Sequence, residues 1–216
     1  MYCPAHFRED RPEVLSHLID CHPLATVIHS GPDGLCADLL PLMHGQGGDG
    51  PGHLIGHVAR NNPLWQTGPD RELLVVFQGP AAYISPNWYA SKADGGKVVP
   101  TWNYAVVQAH CTLTALHEPA DLLQILNTLT DRQEATQPHP WRVSDAPAEF
   151  TDRLLGHIVG IRLDILRWQG KWKVSQNQPE ANRHSVVQAL RERPSVEAPS
   201  PMAELVHSHK RPTASM

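Results

Sequence analysis

Alternation of apolar and polar residues sets out most of this chain. Leu73-Leu-Val-Val-Phe77 is an unbroken apolar run of β-branched and aromatic type, which predicts a buried strand. Gly79-Pro80 predicts a break, after which Ala82-Tyr-Ile84 resumes a strand. Residues 104–117 read as a long strand. Val159, Ile161, Leu163 and Ile165 alternate with Gly160, Arg162 and Asp164, a period of two. Gln169-Gly170 then predicts a turn, with Lys171 to Val174 pairing back. Leu24 to His29 and Leu35 to Leu42 form a hairpin pattern around Gly31-Pro-Asp-Gly34, and His53 to Val58 is a further strand. Residues 45–52 hold five glycines and predict a loop. Helical spacing occurs four times. Val14, Leu15, Leu18 and Ile19 follow a capping-box-like Asp10 and stop before Pro23. Leu122, Leu123, Ile125, Leu126 and Leu129 follow Pro119. A short helix runs from Pro147 to Leu155, and residues 181–193 carry Val186, Val187 and Leu190 on one face.

Several short strands with a few helices predict an α+β chain, mainly β, arranged as an antiparallel barrel with peripheral helices. A parallel βαβ arrangement fits poorly, because helices do not alternate with strands. No G-x-G-x-x-G follows a strand and no P-loop occurs, which argues against dinucleotide-fold and ATPase sites. From Pro194 onward there are four prolines and no aromatic residue. The expected division is therefore one domain over residues 1–193 and a disordered or partner-dependent tail over 194–216.

Composition narrows the class. At 216 residues and 41% hydrophobic, the chain can bury a core of its own. No apolar run approaches a membrane span and no signal-peptide pattern opens the sequence, so a cytoplasmic protein is expected. Cys3, Cys21, Cys36 and Cys111 are widely spaced with no C-x-x-C, and read as free thiols. The formal charge is −4, with 18 basic against 22 acidic residues, and no helix-turn-helix is recognisable. A protein that grips duplex DNA unaided shows a basic face instead.

Candidate chemistry concentrates in one stretch. Trp88, Tyr89, Trp102 and Tyr104 crowd together in a chain that is only 6% aromatic, beside Ser85, Asn87, Ser91, Lys92, Thr101 and Asn103. Flat apolar walls with a few convergent polar groups suit a flat ligand with polar edges. The same composition also suits an aromatic core corner with loop residues attached. Arg60, with Asn61 and Asn62, is the first cation after a strand. Its guanidinium offers a fork for phosphate; alternatively it caps a short helical turn. His53 and His57 face the same side of a strand, and His207 and His209 lack a third ligand, so no metal site is expected. No Ser-His-Asp or Cys-His set appears, and catalytic residues stay unassigned.

The runs FQGPAAYISPNWYASK (Phe77 to Lys92) and VPTWNYAVVQAHC (Val99 to Cys111) resemble the PaiB family, FMN-binding negative transcriptional regulators. The flanks agree: Met1-Tyr2-x-Pro4-x-x-Phe7, Gly56-His-Val-Ala-Arg-Asn-Asn-Pro-Leu-Trp65 and Lys173-Val-Ser-Gln-Asn177. The resemblance implies a split β-barrel related to the pyridoxamine-phosphate-oxidase-like flavoproteins, binding FMN at the interface of a homodimer. On that likeness Arg60, Asn61 and Asn62 lie at the phosphate and ribityl end, with His57 bonding flavin or backbone. Tyr83, Ile84 and Ser85 meet the polar edge of the ring, near Trp88, Tyr89 and Lys92. Pro100, Thr101, Trp102 and Asn103 approach from the second subunit, and Lys173 and Gln176 reach the cofactor from the last strand. The implied function is that of a homodimeric regulator, acting through DNA or a regulatory protein and not by strong direct DNA binding. The alternative is a flavin-dependent oxidoreductase: an NAD(P)H:flavin reductase, an oxidase or a haem-handling oxygenase.

Overall fold

Thirteen regular elements account for the chain in a computed structural model that describes residues 1–31, 34–47, 50–192 and 200–209. They are β1 (Arg8–Glu9), α1 (Pro12–Cys21), β2 (Leu24–Gly31), β3 (Gly34–Pro41), β4 (Met43–Gly45), β5 (His53–Ala59) and β6 (Leu73–Ile84). Then come β7 (Thr101–Leu116), α2 (Pro119–Glu134), α3 (Ala148–Leu155), β8 (Ile158–Lys173), α4 (Glu180–Glu192) and α5 (Pro201–Ser208). The expected class holds: the fold is α+β, mainly β, an antiparallel split β-barrel type with helices at its periphery. No helix among the described residues is long and apolar enough to cross a membrane.

Three sequence expectations need correction. Gly79-Pro80 does not interrupt β6, which runs unbroken for 12 residues. Proline's fixed φ suits extended backbone and costs only one ladder donor. Gln169-Gly170 is not a turn either, since β8 continues for 16 residues through it. A Cβ at position 170 would come within 2.3 Å of Leu15 Cδ2 and 2.7 Å of Glu9 O. The glycine there permits close approach of a neighbouring side chain and strand, and does not bend the chain. Third, part of the proline-rich tail is helical: α5 buries Met202, Ala203 and Val206. Its apolar residues recur at helical spacing, short enough to be hidden among the prolines. The rest of the expected tail, residues 194–199 and 210–216, lies outside the described residues, as do positions 32 and 33 of the hairpin turn and 48 and 49 of the glycine loop.

The chain forms two units. One comprises Ser16–Phe77 and Gln108–Trp168. Here the strand order is β3-β2-β6-β7-β8-β5-β4. The period of two sends Val27, Val75, Phe77, Leu113, Ile161 and Leu163 inward. Helix α2 lies against β8 at Gly160, where a Cβ would meet Ile125 and Leu122 at 2.9 and 3.1 Å. The other unit comprises Met1–Leu15, Gln78–Val107 and Gln169–Met216. Its strand β1 pairs with the end of β8, Arg8 opposite Lys171 and Glu9 opposite Gly170. Its core gathers Phe7, Leu15, Ile84, Ala105, Val107, Trp172 and Val174. Val186, Val187 and Leu190 of α4 are buried with α5.

Candidate functional site

Strand β7 opens with Thr101, and its pleat sends Thr101 and Asn103 to one face, Trp102 and Tyr104 to the other. On the first face lies a cavity of about 410 Å³, built wholly within the unit just described. The end of β8 and the loop after it supply Lys173, Ser175, Asn177, Gln178 and Pro179. Tyr89 and Ser91 come from the 3₁₀ segment after β6, Lys97, Val98 and Val99 from the approach to β7, and Asn182 from the first turn of α4.

Hydrogen bonds hold this lining in place. Lys173 Nζ donates to Thr101 Oγ1 and, at 2.9 Å, to the carbonyl of Trp102. Asn103 is only 1% exposed, and its Nδ2 donates to Ser175 Oγ at 2.8 Å. Ser175 is itself buried with φ 62°, a left-handed conformation that a non-glycine residue adopts only when its surroundings impose it. Asn182, 2% exposed, accepts from Ser91 N at 2.9 Å and donates to Ser91 Oγ at 2.9 Å and Gln178 Oε1 at 3.1 Å. Gln176 turns away from the cavity. Its Oε1 accepts from Val174 N at 2.8 Å and its Nε2 donates to the Trp172 carbonyl, so it shapes the loop after β8. Burial raises the Tyr89 phenol above its ordinary pKa and keeps it a neutral donor. The lining contains two lysines and no carboxylate. Such a donor set suits an anion carrying hydroxyl groups.

The opposite face of β7 is different. Trp102 is 58% exposed and meets Tyr83 edge-on, with ring centroids 6.0 Å apart. Lys171 Nζ stands 5.2 Å from the Tyr104 ring. Ile84 is fully buried. Ser85 Oγ accepts from Asn87 N at 3.2 Å and caps the turn through Trp88, while Lys92 Nζ donates to Asn87 Oδ1 at 2.6 Å. Pro100 is exposed at the start of the strand. The expected flavin residues thus divide: Tyr89, Thr101, Asn103 and Lys173 share the cavity, whereas Tyr83 and Trp102 share the aromatic face.

His57, Arg60, Asn61 and Asn62 belong to the other unit. Arg60 Nε donates to the Gly156 carbonyl at 2.6 Å and Nη2 to the Ile158 carbonyl at 2.9 Å. Its fork therefore ties the end of α3 to β8, and its own carbonyl accepts from Trp65 Nε1 at 3.0 Å. Asn62 Oδ1 caps a 3₁₀ turn through Leu64 N at 2.8 Å. Its Nδ2 donates to Asp38 Oδ1 at 2.7 Å, and Asp38 Oδ2 faces His29 Nε2 at 3.2 Å. Asn61 is exposed. Burial lowers the His57 pKa, and its Nδ1 is buried without a partner. Among the described residues no group of three or more His, Cys, Asp or Glu side chains could hold a metal ion.

Sequence reasoning missed Lys97, Ser175 and Asn182 as lining residues, while Ser91, named beside the aromatic residues, does line the cavity. Asn182 left a signal, a polar residue four before Val186 on the buried stripe of α4. Ser175 left none, because its left-handed backbone is imposed by the fold.

Residues 1–167 match the protein family described as "Putative FMN-binding domain". The protease synthase and sporulation protein PAI 2 of Bacillus subtilis is 30% identical, with 95% of this chain and 96% of that protein covered. An uncharacterized protein of Aspergillus fumigatus is 35% identical over 65% of this chain and 66% of its own length. Among solved structures, the FAD and heme binding protein of Mycobacterium smegmatis superposes with a TM-score of 0.56 at 20% identity, covering 77% of this chain and 73% of that one. The flavocytochrome Anf3 of Azotobacter vinelandii gives 0.57 at 14% identity, covering 77% and 69%. These likenesses carry the fold. The sequence match and the near full-length relative carry more: the chain belongs to the PaiB family of FMN-binding split-barrel proteins.

Proposed function

We propose that this protein binds FMN as a homodimer and holds the hydroxylated, phosphorylated end of the flavin in the cavity beside β7. The observation that carries this is the lining itself: two lysines, the short hydroxyl or amide side chains of Ser91, Thr101, Asn103, Ser175, Asn177 and Asn182, and no carboxylate. When bound, FMN would supply one- and two-electron chemistry; the protein's residues bind and orient it. Lys173 is pre-positioned by Thr101 and the Trp102 carbonyl, and Asn103 and Ser175 stand beside it in the lining for the ribityl hydroxyls. The exposed pair of Tyr83 and Trp102 supplies the apolar surface that a second copy would cover.

The cellular role that fits is negative transcriptional regulation through flavin state or a protein partner, in the cytoplasm. The net charge of −4 speaks against strong direct DNA binding. The same charge favours a second reading, flavin-dependent oxidoreduction with NAD(P)H as donor. Purified protein decides among these. Fluorescence quenching on titration of apo-protein with FMN tests the cofactor, and absence of quenching at micromolar protein rejects it. NADPH- or NADH-dependent bleaching of the bound flavin under air favours the oxidoreductase; nanomolar retention of one promoter fragment at physiological salt favours the direct regulator.

A further inference from the structure

The two lysines of the cavity differ in kind. Lys173 is fixed: two of the three donors on its ammonium are engaged by Thr101 and Trp102, leaving one for a ligand. Lys97 is exposed and makes no hydrogen bond or ion pair among the described residues. Its backbone is nonetheless well placed. Gly95 and Gly96 precede it with φ of 111° and 67°, a left-handed pair, and Gly96 N and Val98 N bond to the carbonyls of Lys92 and Gly96. An unpaired cation is thus presented at the rim by a bonded turn.

Charge matching narrows what this arrangement takes. A phosphate monoester carries about −1.5 to −2 at neutral pH, and so calls for two cations. A carboxylate or a single phosphodiester carries one charge, and one lysine would serve it. Beside the lysines the lining carries the neutral Asn103 and Ser175, joined by a hydrogen bond, which suit hydroxyl groups rather than a second charge. We infer that the cavity selects a doubly charged phosphate on a hydroxylated chain, and that Lys97 is a residue that separates FMN from riboflavin. This rests on the FMN reading above and names the part of the ligand that the site measures.

The test compares full-length parent, Lys97→Ala and Lys97→Arg, each titrated with FMN and riboflavin at fixed ionic strength. Inorganic phosphate is added in parallel melting experiments against matched chloride. Lys97 is exposed and unpartnered, so ligand-free melting should be unchanged in both variants. The parent should prefer FMN over riboflavin by at least about tenfold. Lys97→Ala should lose most of that preference with riboflavin affinity unaltered, and Lys97→Arg should keep it. Equal affinity of the parent for FMN and riboflavin, or a full preference in Lys97→Ala, overturns the inference while the flavin reading stands. If no flavin binds, the FMN reading is what fails, and the phosphate arm decides the cavity. Protection of the parent that Lys97→Ala loses upholds a phosphate site; no protection of the parent overturns it.

Discussion

The two faces of β7 begin from one six-residue stretch, Val99 to Tyr104, and end as opposite kinds of surface. One face offers Thr101 and Asn103, small polar groups already engaged with Lys173 and Ser175. The other offers Trp102 and Tyr104, large rings, the first of them more than half exposed. Residues adjacent in sequence read as one aromatic, polar-edged patch. The pleat divides them into a polar face that lines the cavity and an aromatic face. Preorganised polar groups cost little to bind a ligand because they are already ordered, whereas exposed rings gain by being covered. Ligand affinity and subunit association should therefore respond to different substitutions in the same stretch.

The largest expected effect lies on the polar face. Lys173→Met removes the fixed cation and both of its ties. A charge-assisted bond is worth about 1.5–3 kcal/mol, so FMN affinity should fall by roughly tenfold to a hundredfold in fluorescence titration. Riboflavin binding should fall less. A variant that binds FMN like the parent would remove the polar face from the flavin site.

Next comes Asn103→Ala. The side chain is almost wholly buried and its loss strands Ser175 Oγ, in a residue whose backbone is already left-handed. Stability to urea should drop by about 1–3 kcal/mol, with a several-fold loss of FMN affinity. Unchanged stability would mean that the Asn103–Ser175 bond holds nothing in place.

The aromatic face should act through association. Light scattering of the parent should give twice the chain mass of 23.9 kDa. Trp102→Ala should shift that balance toward the single chain, with flavin affinity altered by less than about threefold, the worth of a weak stacking contact. The opposite pattern, an intact dimer that no longer holds FMN, would assign the rings to the isoalloxazine and break the division between faces.

The strands were legible because burial on one side leaves a period of two, plain in Val159 to Ile165, and because an unbroken apolar run such as Leu73 to Phe77 marks a buried strand. What escaped was whatever depends on a partner distant in sequence. Gly170 looks like a turn until Leu15 is seen against it. Helix α5 looks like tail until its three apolar residues are found buried. Ser175 has an ordinary side chain, and only the fold makes its backbone unusual. Side-chain directions among the candidate site residues likewise depend on partners that the fold supplies. Gln176 is committed to backbone groups of its own loop, and Lys92 to Asn87.

Arg60 is the sharpest instance, and its replacement should have the smallest effect on the flavin. By residue type it is the better phosphate ligand, since a guanidinium presents a planar fork where lysine presents a point charge. Its surroundings decide otherwise. Nε and Nη2 already serve the carbonyls of Gly156 and Ile158. Gly156 closes helix α3, where unpaired carbonyls gather negative charge and a cation is favoured. A phosphate could recruit this fork only by stripping both carbonyls of their donor. Arg60→Ala should thus lower unfolding stability by on the order of 1 kcal/mol and change FMN affinity by no more than about twofold. Lys173→Met should do the reverse, a large loss of affinity at smaller cost in stability. If Arg60→Ala instead binds FMN at least about tenfold more weakly with its melting curve unchanged, the phosphate lies with the guanidinium. The lysine-lined cavity beside β7 would then have to serve a different anion.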